Sequence, residues 1–138
     1  MRGGVRLAPV EEFLLRNLVE RVPEVMATGI RQQWRGLNLI QRDPDWQELR
    51  FYRLVRGRVD RSRQPQLPVL KGEVKLLSLA LRPGDGVELL HVNFWAVDGR
   101  FFSLNSNRSL RAVRNQSVME VEAVEHSYRS NLVRSGAR

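Results

Sequence analysis

Asp98-Gly99 is the strongest single constraint on how this chain can fold. Both residues tolerate positive φ, so the pair fits the two central positions of a tight hairpin turn. A strand-like run, 87–97, leads into it, and 100–105 reads as the return strand. Arg82-Pro83-Gly84-Asp85-Gly86 is a second turn signal, joining an earlier strand-like run, 73–81, to 87–97. Three consecutive antiparallel strands follow from these two hairpins.

Counting outward from the turns gives a register. Across Asp98-Gly99, Val97 faces Arg100, Trp95 faces Phe102 and Asn93 faces Leu104. Across the other loop, Leu81 opposite Val87 sets Leu79 against Leu89 and Leu77 against His91. One face then carries Val74, Leu76, Leu90, Val92, Phe94, Ala96 and Phe101, and is expected to be the core face. The other carries Leu77, Leu79, Leu89, Trp95, Phe102 and Leu104, with Lys75, His91 and Asn93 among them. So apolar a face needs a cover. The candidates are a C-terminal helix, a second copy in a homodimer, or a ligand. A slip of one residue would invert the assignment, because side chains alternate along a strand.

Before the sheet, apolar residues recur at helical spacing. Val10, Phe13, Leu14, Leu18 and Val22 form one stripe, with Pro9 suited to a first turn and Glu11 and Glu12 where the helix dipole favours negative charge. Pro23 breaks the pattern. A second helix is predicted over 24–35, with Met26, Ile30 and Trp34 inward and Gly36 as its stop. Residues 37–46 read as a connector around Asp43-Pro44-Asp45, 49–55 as a strand, and 58–68 as a loop. Residues 117–134 fit two patterns. Met119, Val121 and Ala123 alternate as in a strand, while Val118, Val121, Val124, Tyr128 and Leu132 share a helical face. The capping-box spacing from Ser117 to Glu120, with acidic residues first and basic ones last, favours the helix. The expected fold is α+β: two N-terminal helices, an antiparallel sheet of about four strands with two central hairpins, and a C-terminal helix. A length of 138 residues suits one domain spanning 1–138.

The function classes narrow by exclusion. Without cysteine there is no disulfide, thiol nucleophile, zinc-thiolate site or iron–sulfur cluster. His91 and His126 lack partners at metal-ligand spacing, and no glycine pattern forms a phosphate loop, so neither metal nor cofactor is expected. No apolar run approaches the ~20 residues of a membrane span, and the start of the chain lacks the apolar stretch of a secretory signal. A cytoplasmic location away from membranes is the expectation.

What stands out is charge. Twenty-three basic residues face 15 acidic ones, a net charge of +8, and only Lys71 and Lys75 among the basic residues are not arginine. Arginine's planar fork matches phosphate and carboxylate. Arg50, Arg53, Arg56, Arg58, Arg61 and Arg63 are interleaved with Phe51 and Tyr52, while Arg108, Arg111 and Arg114 are spaced by three. Such residues would contact phosphates or an acidic protein surface, with aromatics available to stack on bases. The plainer account is a charged edge strand that resists edge-to-edge pairing. The expected function is non-catalytic binding of an acidic partner, either protein or nucleic acid, with a homodimer left open. The alternative is a small ligand-binding protein or enzyme that uses the sheet face of Lys75, His91, Asn93, Trp95 and Phe102.

Overall fold

The computed structural model describes residues 6–84 and 88–133. Helix α1, Pro9–Arg21, buries Val10, Leu14 and Leu18 completely. Helix α2, Glu24–Arg35, buries Met26, Ile30 and Trp34 along the predicted stripe. Pro23 ends one helix and starts the next, its carbonyl accepting from the Met26 and Ala27 amides at 2.9 Å. Gly36 closes α2, its amide donating to the Gln33 carbonyl.

The sheet is larger than predicted. Its six strands are β1 (Leu39–Arg42), β2 (Glu48–Tyr52), β5 (Glu73–Arg82), β6 (Leu90–Val97), β7 (Arg100–Ser106) and β8 (Glu120–Glu125). They run antiparallel in the order β1-β2-β7-β6-β5-β8. The short strands β3 (Leu54–Val55) and β4 (Arg58–Val59) make a separate hairpin. Thus the predicted connector 37–46 contains a strand, the predicted strand 49–55 divides at Arg53, and the predicted loop 58–68 begins with one. Asp43 organises the β1–β2 turn by accepting from the Gln47 and Glu48 amides.

No C-terminal helix forms over the described part of 117–134. Strand β8 pairs with β5 there, followed by a 3₁₀ turn at Ser127–Ser130. Without β8, one edge of β5 would offer a row of unpaired backbone groups, and pairing satisfies them. Val118, which the helical stripe would bury, is 78% exposed, whereas Met119 is buried. Ion pairs from Arg82 to Glu122 (2.9 Å) and from Lys75 to Glu125 (3.5 Å) hold the added strand.

Asp98 and Gly99 adopt φ of 50° and 75°, the tight turn expected of them, and Val97 pairs with Arg100. A bulge then changes the register. Ala96 pairs with Phe101 but Trp95 pairs with Ser103, so Phe102 is the extra residue. Asn93 therefore lies opposite Asn105, and Leu104 opposite Phe94. In the other hairpin Asp85, Gly86 and Val87 lie outside the described residues. Its strands pair Leu81 with Leu90, Leu79 with Val92 and Leu77 with Phe94, an odd offset from the predicted register. A second bulge between Lys75 and Leu77 buries both Leu76 and Leu77.

These shifts move Leu77, Leu79 and Leu104 into the core, against expectation, and leave Leu89 half-buried just before β6. Trp34 of α2 meets Phe51 of β2 edge-on at 5.2 Å, and Phe51 meets Phe101 of β7 at 5.3 Å, so the helices cover this face. The opposite face keeps Lys75, His91, Asn93, Trp95 and Phe102, with Arg50, Tyr52, Ser78 and Asn105 beside them. It is polar and aromatic, not leucine-rich, and none of those nine residues is fully buried. Leu79→Ala should therefore destabilise by about 3 kcal/mol, as for a cavity in the core, and half-buried Phe102→Ala by about 1 kcal/mol. Equal losses in urea denaturation would contradict this division of the sheet.

Candidate functional site

The arginine stretch 50–63 serves several ends. Arg50 lies on the uncovered sheet face and pairs with Glu48 at 2.7 Å. Arg53 closes the base of the β3–β4 hairpin, its Nη1 donating to the Asp60 carbonyl at 2.9 Å. Arg56 and Gly57, with φ of 53° and 80°, form the hairpin tip. Arg56, Arg58 and Arg63 are exposed, and among the described residues no carboxylate lies within ion-pair distance of them. Asp60, hydrogen-bonded by the Ser62 hydroxyl and amide, is held below the usual carboxylate range by those bonds, with the Arg53 and Arg63 charges adding to the effect.

Arg61 turns inward instead. Its Nε donates to the Gln64 amide oxygen and its Nη1 to the Phe101 carbonyl. Arg100 returns the contact, Nη2 donating to the Ser62 carbonyl at 3.2 Å. Burial, then the neighbouring Arg100 charge, pushes Arg61 down to about 10. Behind the pair lies Gln33, fully buried on α2. Its side chain donates to the carbonyls of Pro65 (2.7 Å) and Gly99 (3.0 Å) and accepts from the Phe101 amide (2.8 Å). Gln64 donates back to the Gln33 carbonyl. Neither Arg100 nor Gln33 stands out as a site residue in the sequence. Their partners lie 32 to 68 residues away, so no local pattern marks them.

The second arginine group does not form one row. Ser109 caps a 3₁₀ turn, Leu110–Val113, and the three side chains diverge around it. Arg108 donates to the Glu88 carbonyl at 2.8 Å, beside the start of β6. Arg111 donates to the Pro44 carbonyl at 2.9 Å and lies 5.8 Å from the Trp46 ring, which also receives Arg42 at 4.9 Å. Arg114 is exposed, while its backbone carbonyl accepts from the Val10 amide.

On the uncovered sheet face, Tyr52 and Phe102 meet edge-on at 5.5 Å. The Trp95 indole donates to Asn105 at 2.8 Å, and the Ser78 hydroxyl to Asn93 at 2.6 Å. Lys75 lies 5.9 Å from the Trp95 ring centre. His91 is exposed, and Asn107 grips its backbone on both sides, accepting from its amide and donating to its carbonyl. A concavity of about 390 Å³ lies between α2 and residues 65–68, and one of about 410 Å³, lined by Arg111 and Arg114, lies at Arg111–Gln116; neither includes a residue of the uncovered sheet face. No known protein family matches the chain, and no curated protein or solved structure compared with it does either.

Proposed function

We propose that this protein is a non-catalytic binding module whose acidic partner is single-stranded nucleic acid. One juxtaposition carries the reading. The edge-on Tyr52–Phe102 pair sits on a sheet face that the helices leave uncovered, and the chain runs from Tyr52 through Arg53 into the hairpin bearing Arg56 and Arg58. Every base has a π-face, so aromatic side chains hold unpaired bases whatever their sequence. Unpaired arginines beside them neutralise the phosphates of the same strand. An acidic protein surface would use the arginines but has no need of the aromatics, which favours the nucleic-acid partner.

The test is titration of a labelled single-stranded oligonucleotide at several salt concentrations. With three or four phosphates neutralised, log affinity should fall with log salt at a slope of about −2 to −3, or about 15- to 60-fold between about 50 and 200 mM. Replacing Arg56, Arg58 and Arg63 together with Gln should flatten that slope by about 2 and leave the melting temperature unchanged, since these side chains are exposed. Tyr52→Ala with Phe102→Ala should weaken binding and keep the slope. If no oligonucleotide binds at tens of micromolar in low salt while an acidic polypeptide does, the partner is a protein.

A further inference from the structure

We infer that Arg61 and Arg100 form a site for one phosphate monoester group. The two guanidinium groups are anchored crosswise. Arg61 donates to the carbonyl of Phe101, the residue after Arg100, and Arg100 donates to the carbonyl of Ser62, the residue after Arg61. Each is thereby fixed by backbone it does not own, so neither must be ordered when a ligand arrives.

Each also keeps a nitrogen without an acceptor. Among the described residues, Arg61 Nη2 and Arg100 Nε are buried and hydrogen-bond to nothing. Buried polar atoms are nearly always satisfied, and two orphaned donors on neighbouring cations call for the same thing, an acceptor with negative charge. No carboxylate among the described residues supplies it within 4.0 Å. The lowered pKa of Arg61 has the matching cause, burial beside a like charge, and a bound anion would relieve it.

The charge count selects the ligand. Two guanidinium groups carry +2, and a phosphate monoester near neutral pH carries close to −2, whereas an internal phosphodiester or a carboxylate carries −1. A tetrahedral oxyanion can also accept from two donors that approach along different directions. This deepens the proposed function and rests on it in one respect: the natural source would be the terminal phosphate of a strand whose body lies along the hairpin and the aromatic face. Free phosphate offers the same chemistry, so the two sources must be separated by experiment.

Inorganic phosphate should raise the melting temperature of the wild-type protein in a saturable way, relative to chloride at equal ionic strength. A labelled oligonucleotide ending in phosphate should bind about tenfold tighter than the same strand ending in hydroxyl, as expected for added charge-assisted hydrogen bonds. Arg100→Lys, which keeps the charge and loses the planar fork, should abolish most of that preference and leave the salt slope of the hydroxyl-ended strand intact. Arg100→Gln should abolish all of it. Saturable stabilisation by phosphate with equal affinity for the two strands would assign the site to free phosphate. Stabilisation by phosphate with no oligonucleotide binding at all would sink the nucleic-acid reading and leave this site standing. Equal affinity for the two strands together with no stabilisation by phosphate would overturn the site, even if the strands bind.

Discussion

Arg42→Ala should lower the midpoint of thermal unfolding by about 10 °C. Glu11 is wholly buried in the first turn of α1, and Arg42 of β1 is its one cationic partner among the described residues. The contact is bidentate, with Nε on Oε2 and Nη2 on Oε1, each at 2.7 Å. Arg42 Nη2 also donates to the Arg6 carbonyl, and Glu11 Oε1 also accepts from the Ala8 amide at 2.8 Å. The hydrogen bond to Glu11 pushes the Arg42 guanidinium upward, so the pair is charged wherever the carboxylate is. Removing the arginine leaves a carboxylate buried with only an amide to face, and breaking such a pair costs about 3–5 kcal/mol. At about 3 °C per kcal/mol for a chain of this size, that gives the expected fall. Glu11→Gln should cost less, because it leaves behind a partly exposed arginine that can turn to water. A loss under about 3 °C for Arg42→Ala, followed by circular dichroism, would mean that water reaches Glu11.

Gln33→Leu should be comparably severe, at about 2–6 kcal/mol in urea denaturation, for two groups orphaned at about 1–3 kcal/mol each. The substitution keeps roughly the same volume and removes every polar atom. The Phe101 amide and the Pro65 carbonyl then lose their partner together, while the Gly99 carbonyl keeps the Leu67 amide at 2.6 Å, and each buried group left unmatched costs about 1–3 kcal/mol. Hydrogen exchange at the Phe101 amide should accelerate in a folded variant. Retained protection there would show that the strand finds another acceptor and that Gln33 is not the clasp between α2 and the β6–β7 turn. The same clasp holds the segment from which Arg61 extends, so the variant should also weaken phosphate binding at the Arg61–Arg100 site.

Both predictions rest on residues whose importance is silent in one dimension. Glu11 reads from the sequence as an ordinary first-turn acid, and Gln33 as one polar residue between Gln32 and Trp34. Only the approach of β1 turns the first into half of a buried ion pair, and only the loop before β5 turns the second into a hub of three backbone contacts. The arginines divide in the same way. Arg56, Arg58 and Arg63 stay exposed as a charged stretch suggests, while Arg61, identical in type and spacing, folds inward to meet Arg100.

Features that depend on neighbours along the chain are legible in the residues alone. Both helices and their break at Pro23 follow from a 3.6-residue period and a ring that cannot continue a helix. The Asp98-Gly99 turn follows from two residues that accept positive φ, and the α+β architecture from helices followed by hairpins. The remainder was set by contacts between segments far apart in the chain. Pairing Leu81 with Leu90 rather than Val87, an odd offset, turned Leu77 and Leu79 into the core, and the bulge at Phe102 did the same for Leu104, because an odd shift reverses which face every later side chain takes. The open edge of β5 drew 120–125 into a strand, despite local signals for a helix, because unpaired backbone groups outweigh the tenths of a kcal/mol that separate helix propensities.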